Sequence, residues 1–199
     1  MDQEIKDIQI KPEVQDQILL AALKLFTEKG YFNTSLIDIK DAAGIKTTGN
    51  LYQYFKTKQM IAAQLHETIL DSLSISIDEI KTNNEKSSEQ LRGIVDLLFK
   101  LTDDAPDVMR FLLVLNIKEF LPEAKLSYET DAFLKIIKII EAGIATGEIR
   151  NLAPQLGYVH FFGIIDNTLR LKLNGFLDKK AEVYQSQAWL AAWNTIVKK

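Results

Sequence analysis

The chain has 199 residues, a formal net charge of −3 and a hydrophobic fraction of 47%, which is typical of a soluble globular protein. It has no cysteine, and this excludes disulfide bonds, thiolate metal sites and cysteine nucleophiles. The polar N-terminus is unlike a signal peptide, and no apolar run approaches the ~20 residues of a membrane span. We therefore expect a cytoplasmic protein with no membrane partner.

Positive charge is concentrated in one segment. Residues 40–58 contain four lysines against one aspartate, whereas residues 1–16 contain two lysines against five acidic residues. A net charge of −3 argues against a protein that binds nucleic acid over its whole surface. A local excess of lysine is compatible with a single DNA-binding element.

An amphipathic helix and two shorter helices are predicted within the first 60 residues. The first begins at about Pro12 or Glu13 and ends before Gly30, with an apolar stripe that includes Ile18 and Phe26. Ser35 followed by Asp38 resembles a capping box and predicts a second helix. Gly44 then allows a turn, and Thr47 or Thr48 caps a third helix that ends at about Phe55. This is the layout of a helix-turn-helix, whose second helix enters the DNA major groove.

The rest of the chain is predicted to be helical as well. Apolar residues recur at helical spacing between breaks at 82–88, 103–106, 121–122, 147–153 and 175–178. The predicted helices after the first three span about 57–81, 89–102, 106–120, 128–146, 154–174 and 179–197. No alternating strand pattern is present, so we expect an all-α fold of about nine helices.

A series of short motifs runs in order through roughly residues 17–65: Ile18-Leu19, Ala21-Ala22, Leu25-Phe26, Gly30-Tyr31, Thr34-Ser35, Ile39, Ala43-Gly44-Ile45, Gly49-Asn50-Leu51-Tyr52, Tyr54-Phe55-Lys56 and Lys58. This series resembles the tetracycline-repressor (TetR) family of bacterial transcription regulators. The resemblance implies a three-helix DNA-binding domain at residues 12–58, then a helical-bundle domain at 59–199 that binds an effector and dimerises. The turn after Gly44 is one residue longer than is usual in the family.

The resemblance and the exposed positions of the predicted third helix together indicate the DNA-binding residues. Asn and Gln side chains can pair with adenine, Thr methyls can contact thymine, and lysines can contact phosphates. Tyr54 and Phe55 are predicted to pack in the core instead. The candidate DNA-binding residues are Thr34, Ser35, Lys46, Thr47, Thr48, Asn50, Tyr52, Gln53, Lys56 and Lys58.

The resemblance implies an effector pocket in the C-terminal part, and the aromatic residues there predict that the pocket is apolar with few polar groups. Asp166 and Arg170 are spaced i, i+4 and are predicted to form an ion pair rather than effector contacts. The candidate effector-binding residues are His66, Phe99, Phe111, Leu115, Asn116, Phe120, Phe133, His160 and Phe161.

The last two predicted helices carry apolar stripes that we expect at a four-helix dimer interface. The candidate interface residues are Phe162, Ile165, Leu169, Leu173, Trp189, Trp193 and Ile196. Such a dimer would present two recognition helices to a palindromic operator.

No arrangement of residues typical of a catalytic site, metal site or cofactor site is present in the sequence. The expected function is a homodimeric repressor, not an enzyme, that leaves its double-stranded DNA operator when a small apolar or aromatic effector binds. The alternative is a helical protein-interaction module, or a bundle enzyme, that kept the fold without operator binding. Bundle enzymes usually carry Glu-x-x-His pairs, and the sequence has none.

Overall fold

The computed structural model describes residues 14–125 and 127–199, and within them the fold is all-α, as predicted. One isolated antiparallel bridge joins Ile149 to Val197. The described helices are α1 (Val14–Lys29), α2 (Leu36–Ala42), α3 (Thr48–Tyr54), α4 (Lys58–Asn83), α5 (Ser87–Asp104), α6 (Pro106–Leu113), α7 (Asp131–Thr146), α8 (Pro154–Leu173) and α9 (Ala181–Ile196). The predicted start of α1 at Pro12 or Glu13 lies outside the described residues.

Two helix ends differ from the prediction because polar side chains stabilise non-helical backbone there. Helix α6 ends at Leu113, not at Phe120, and a 3₁₀ turn follows at Ile117–Glu119. Asn116 precedes this turn with a ψ of 86° and donates a 2.8 Å hydrogen bond to the carboxylate of Glu119. Helix α7 begins later than predicted, because the hydroxyl of Thr130 caps it by accepting from the backbone N–H of Phe133 at 3.3 Å.

The chain divides into two compact units, and the boundary falls between Ala62 and Ala63. Helix α4 begins before this boundary and ends after it. In the N-terminal unit, apolar side chains from all three short helices are fully buried, which gives the helix-turn-helix a core of its own. These are Ile18, Ala22 and Phe26 of α1, Ile39 of α2, and Leu51 of α3.

The core of the C-terminal unit is built from α4–α9, and carboxylates distant in sequence cap two of its helices. Asp103 accepts from the backbone N–H groups of Ala181 and Glu182 at the start of α9, at 2.8 and 3.2 Å. Glu148 accepts from the N–H groups of Ser87 and Ser88 at the start of α5, at 3.2 and 3.1 Å. Each carboxylate therefore satisfies N–H groups that have no partner within their helix.

The Glu148→Gln variant is expected to lower the free energy of unfolding by about 1 kcal/mol at pH 7. Burial raises the pKa of Glu148, but hydrogen bonds from Ser88 and Ser87 outweigh burial and hold the pKa below its ordinary value. A lowered carboxyl pKa stabilises the fold above the unfolded-state pKa, and this stabilisation is lost as the pH falls through the folded-state pKa. Thermal melts from pH 7 down to pH 3 should show the two proteins converging. A difference that is constant with pH would contradict this role.

Among the described residues, no helix combines the length and the apolar character needed to cross a bilayer. The same residues contain no cluster of three or more His, Cys, Asp or Glu side chains suited to a metal ion.

Candidate DNA-binding surface and effector cavity

The turn between α2 and α3 is shaped by caps and one glycine. Ser35 and Asp38 form the predicted capping box: the Ser35 hydroxyl accepts from the Asp38 N–H at 3.1 Å, and the Asp38 carboxylate accepts from the Ser35 N–H at 2.8 Å. Gly44 has a φ of +70°, a conformation that favours glycine. The Thr47 hydroxyl then caps α3 by accepting from the Asn50 N–H at 3.3 Å. The extra residue of the turn is thus accommodated before a regular cap.

Helix α3 presents an uncharged polar surface flanked by lysines. Thr47, Thr48, Asn50 and Gln53 are exposed, and Lys46 and Lys56 are exposed on either side of the helix. Buried Leu51 fixes which face of α3 turns outward, and Tyr52 is 41% exposed on that face. The side chains that could meet base edges and phosphates therefore lie on one surface.

The two aromatic residues that end this segment differ in burial. Phe55 is 4% exposed, which confirms the prediction that it packs in the core. Tyr54 is 43% exposed, so the prediction of a core role for Tyr54 was wrong. Phe55 is the C-cap of α3 with extended backbone, so the chain leaves the helix there and Phe55 reaches the core, whereas Tyr54 stays exposed at the last helical position.

Thr34 and Ser35, expected at the DNA backbone, both have internal partners. Thr34 is 2% exposed, and its hydroxyl donates to the carbonyl of Gly30 at 2.9 Å, which leaves no accessible group for a phosphate. The Ser35 hydroxyl is exposed but donates to the Asp38 carboxylate at 2.6 Å. The described geometry thus disfavours Thr34 as a DNA contact and gives Ser35 a capping role.

The ammonium group of Lys58 also has partners within the protein. Its Nζ donates to the carbonyls of Tyr31 and Thr34, both at 2.6 Å, and lies 4.2 Å from the centre of the Tyr31 ring. Burial lowers the pKa of Lys58, and the nearby Asp38 carboxylate opposes that shift. The carbonyls belong to the turn between α1 and α2, so Lys58 ties the first residue of α4 to that turn. We infer that Lys58 is a structural clamp, and the expectation of a phosphate contact is replaced accordingly.

Lys56 and Lys58 form a matched pair of variants. Lys58→Met is expected to lower the free energy of unfolding by about 2 kcal/mol, since it leaves two carbonyls without a charged donor. Lys56→Met removes the same charge from a residue with no described partner, so its melting temperature should match the wild type. Lys56→Met should weaken DNA binding and reduce its salt dependence. Thermal melts and DNA titrations at several salt concentrations check both variants. A Lys58→Met protein with an unchanged melting temperature and a weaker salt dependence of DNA binding would contradict the structural role of Lys58.

The C-terminal unit contains a cavity of about 400 Å³ between α4, α5, α6, α7, α8 and the segment after α6. Four predicted effector-binding residues, His66, Leu115, Asn116 and Phe133, line it. Its walls are mainly apolar, with Leu70, Leu73 and Ile77 of α4 on one side. A cavity of this size and composition suits a drug-sized ligand.

The other five predicted effector residues do not line this cavity. Phe99, Phe111 and Phe161 are fully buried in packed core, and Phe120 is 7% exposed beside Phe111, with 6.5 Å between ring centres. Their side chains fill space instead of bordering it. His160 is exposed and lies with its Nδ1 3.5 Å from the Arg150 guanidinium.

Several residues of the cavity were not predicted as effector contacts. Tyr158, Phe162, Asp166 and Arg170 follow one another at four-residue intervals on α8, and all four line the cavity. No nitrogen of Arg170 lies within 4.0 Å of an Asp166 oxygen among the ion pairs of the described residues, so the predicted pair does not form. The signal in the sequence was the charged residue Asp166 within an apolar helix.

Most of the residues predicted at a dimer interface lie inside the protomer. Phe162, Ile165, Leu169, Leu173 and Ile196 are between 0 and 7% exposed and belong to the core of the C-terminal unit. Trp189 and Trp193 are half-buried against that core and stack on each other with 5.5 Å between ring centres. The prediction was wrong for the five core residues, because this apolar stripe packs within the protomer.

The opposite faces of α8 and α9 carry apolar side chains that remain exposed. Leu156 and Val159 of α8 are 53% and 59% exposed, and Val183 and Leu190 of α9 are 50% and 58% exposed. No atom lies within 4 Å of the place where a side chain at Gly163 would begin, which leaves room for a second helix to approach α8 closely. We refer to Leu156, Val159, Gly163, Val183 and Leu190 as the outer α8–α9 surface.

A capped α2, a glycine turn and an exposed polar α3 on a shared core are the parts of a helix-turn-helix, the motif whose second helix enters the DNA major groove. Residues 18–65 match the family model of bacterial regulatory proteins, tetR family. The relatives of this chain are transcription regulators, not enzymes.

Two relatives and one solved structure illustrate the similarity. The chain is 25% identical over 139 residues to the transcriptional repressor KstR2 of Rhodococcus jostii, covering 68% of this chain and 67% of that protein. It is 33% identical over 91 residues to IcaR, the negative regulator of the icaADBC biofilm operon of Staphylococcus aureus, but covers only 47% of that protein. The structure of FadR from Bacillus subtilis in complex with stearoyl-CoA matches with a TM-score of 0.72 and 21% identity, covering 89% of this chain and 97% of that one.

Proposed function

We propose that the protein is a homodimeric, cytoplasmic repressor that binds a palindromic operator and is released by a small effector. The observation that carries the proposal is the exposed polar face of α3, with Thr48, Asn50 and Gln53 outward and Leu51 buried. These side chains have the donors and acceptors that read adenine and thymine in the major groove. The relatives KstR2 and IcaR are negative regulators, which supports repression over activation.

The effector site of this proposal is the cavity of about 400 Å³ in the C-terminal unit. FadR carries stearoyl-CoA in its structure, which supports small-molecule control in proteins of this fold. An effector lowers operator affinity only by the ratio of its affinities for the free and DNA-bound forms. Helix α4 carries His66 of the cavity and begins at Lys58 of the clamp, so it is the element through which we expect the two events to be linked.

The outer α8–α9 surface is the dimer interface of this proposal. Its exposed Leu and Val side chains lie on two neighbouring helices, an arrangement that a second copy can cover as a four-helix bundle. Two recognition helices held by such a frame suit half-sites about one DNA turn apart. The surface replaces the predicted interface, five of whose seven residues are part of the core.

A gel shift with the DNA upstream of the protein's own coding region tests the proposal. We expect a specific complex that survives excess competitor DNA of scrambled sequence. Asn50→Ala or Gln53→Ala should relax the preference at particular base pairs by about 1–3 kcal/mol each. Equal binding to upstream and scrambled DNA would contradict operator recognition and favour a protein-interaction module that kept the fold.

A further inference from the structure

Three polar side chains open into the effector cavity without a protein partner. His66, Tyr158 and Asp166 line the cavity, and none of them has a hydrogen bond or ion pair to any described residue. Every fully buried side-chain nitrogen or oxygen atom of the described residues has a hydrogen-bond partner. The unpartnered polar atoms of these three side chains are therefore not fully buried and are accessible from the cavity. Polar groups placed in this way in an apolar cavity orient a ligand.

Asp166 is the strongest of the three anchors. Burial raises its pKa to about 6, and the positive charge of Arg170 only partly opposes this. The other charged groups of the cavity, Lys118 and Lys125, do not neutralise it: Lys118 donates to the carbonyls of Pro122 and Ala124, at 2.8 and 2.5 Å. Lys125 and Arg170 are exposed at the rim.

Aromatic rings adjoin this carboxyl group on the same helix. The rings of Tyr158 and Phe162 stack with 4.9 Å between centres, and Phe133 meets Tyr158 edge-on at 4.6 Å. Asp166 lies one helical turn beyond Phe162, about 6 Å along α8. The wall therefore combines flat apolar surfaces with a carboxyl acceptor about one helical turn from them.

We propose that the effector is an apolar ring compound that carries a hydroxyl or amine group. Asp166 accepts a hydrogen bond from this group, and the aromatic rings of the cavity pack against the ring skeleton of the effector. A plain hydrocarbon would bury the carboxylate without a partner, and a carboxylic acid at this position would meet a like charge. The inference rests on the proposed function, because it assigns the ligand class of that same cavity.

Four probes that share a naphthalene skeleton test this assignment. 2-Naphthol has a neutral donor, 2-naphthylmethylamine a cationic donor, 2-naphthoate an anion and 2-methylnaphthalene no polar group. Titrations at pH 7.5 should show at least one donor probe binding about tenfold or more tightly than both of the last two. A larger advantage for the amine identifies a cationic effector, and a larger advantage for the naphthol a neutral one.

Variants of Asp166 test whether this residue causes the tighter binding of the donor probes. Asp166→Asn, which keeps an acceptor without the charge, should reduce the preference for the donor probe, and Asp166→Leu should abolish it. Glu67→Gln, which removes an exposed carboxylate of α4 outside the cavity, should leave it unchanged.

Three results would overturn the proposal: binding of 2-naphthoate or 2-methylnaphthalene as tight as that of the donor probes, a donor preference that persists in Asp166→Leu, or no binding of any probe. Operator binding of the ligand-free protein is read in parallel. If the ligand-free protein does not bind the operator, the proposed function is refuted. If it binds the operator but binds the donor probes no more tightly than the other two, only the ligand class is refuted.

Discussion

The Leu190→Glu variant is expected to sediment as a monomer and to lose at least about 100-fold in operator affinity, although every DNA-facing side chain is intact. Leu190 is 58% exposed on the outer α8–α9 surface, so the fold tolerates a charge there, but an interface between two copies does not. A monomer presents one recognition helix and loses the gain from binding two linked half-sites. Val159→Glu, at 59% exposure on α8, should behave in the same way.

Ile75→Glu is the matched control, because Ile75 is 60% exposed on α4, away from this surface. It should remain dimeric and bind the operator normally. Leu169→Glu is the opposite case, since Leu169 is fully buried and a charge there should lower the free energy of unfolding by more than about 4 kcal/mol. Sedimentation at micromolar concentration together with circular dichroism separates these outcomes. A folded, dimeric Leu190→Glu protein would exclude the outer surface as the interface.

The Asp166→Asn variant is expected to raise the free energy of unfolding of the ligand-free protein by about 1–2 kcal/mol at pH 7.5. The pKa of Asp166, raised to about 6 by burial, means that the folded protein holds this proton more tightly than the unfolded chain. The ionised carboxyl group therefore costs stability above about pH 6, and this cost disappears as the pH falls toward 4. This pKa shift corresponds to a loss of up to about 3 kcal/mol in the free energy of unfolding, and water in the cavity reduces that loss.

Thermal melts of both proteins between pH 4.5 and 8 measure this difference. The gain from Asp166→Asn should be largest at high pH and shrink steadily as the pH falls to 4.5, while Glu67→Gln should follow the wild type throughout. A wild-type protein more stable than Asp166→Asn at pH 7.5 would show that Asp166 is a structural partner instead of an unpaired cavity anchor.

The helix-turn-helix could be predicted because its signals are local. The Ser35–Asp38 box, the Thr47 cap and the positive-φ glycines at 30 and 44 each act within a few residues, and each was visible as a residue type at a fixed spacing. The helix boundaries in this part follow directly from them. The role of Lys58 was not visible, because its carbonyl partners lie 24 and 27 residues away.

The full lining of the cavity, and the burial of most predicted interface residues within the protomer, could not be predicted for the same kind of reason. Helical periodicity shows that Leu169 and Ile165 share an apolar face, but not whether the protomer or a second copy covers it. An aromatic residue such as Phe161 fills a core as readily as it lines a pocket, and only long-range packing decides between them. Asp166 was noticed as a charge in an apolar helix, yet its spacing to Arg170 suggested a pair that the side chains do not form.

The salt dependence of operator binding tests the central claim that α3 and its flanking lysines bind DNA. With Lys58 used in the clamp and Lys40 paired to Asp41 at 2.6 Å, the two exposed, unpaired lysines beside α3 are Lys46 and Lys56. A dimer then neutralises about four phosphates, fewer than the six expected if Lys58 also contributes. Fluorescence anisotropy between about 50 and 200 mM salt should give a log–log slope of roughly −3.6 on the operator. Lys56→Met should bring that slope to roughly −2. A slope near zero, or a slope that Lys56→Met leaves unchanged, would contradict the account.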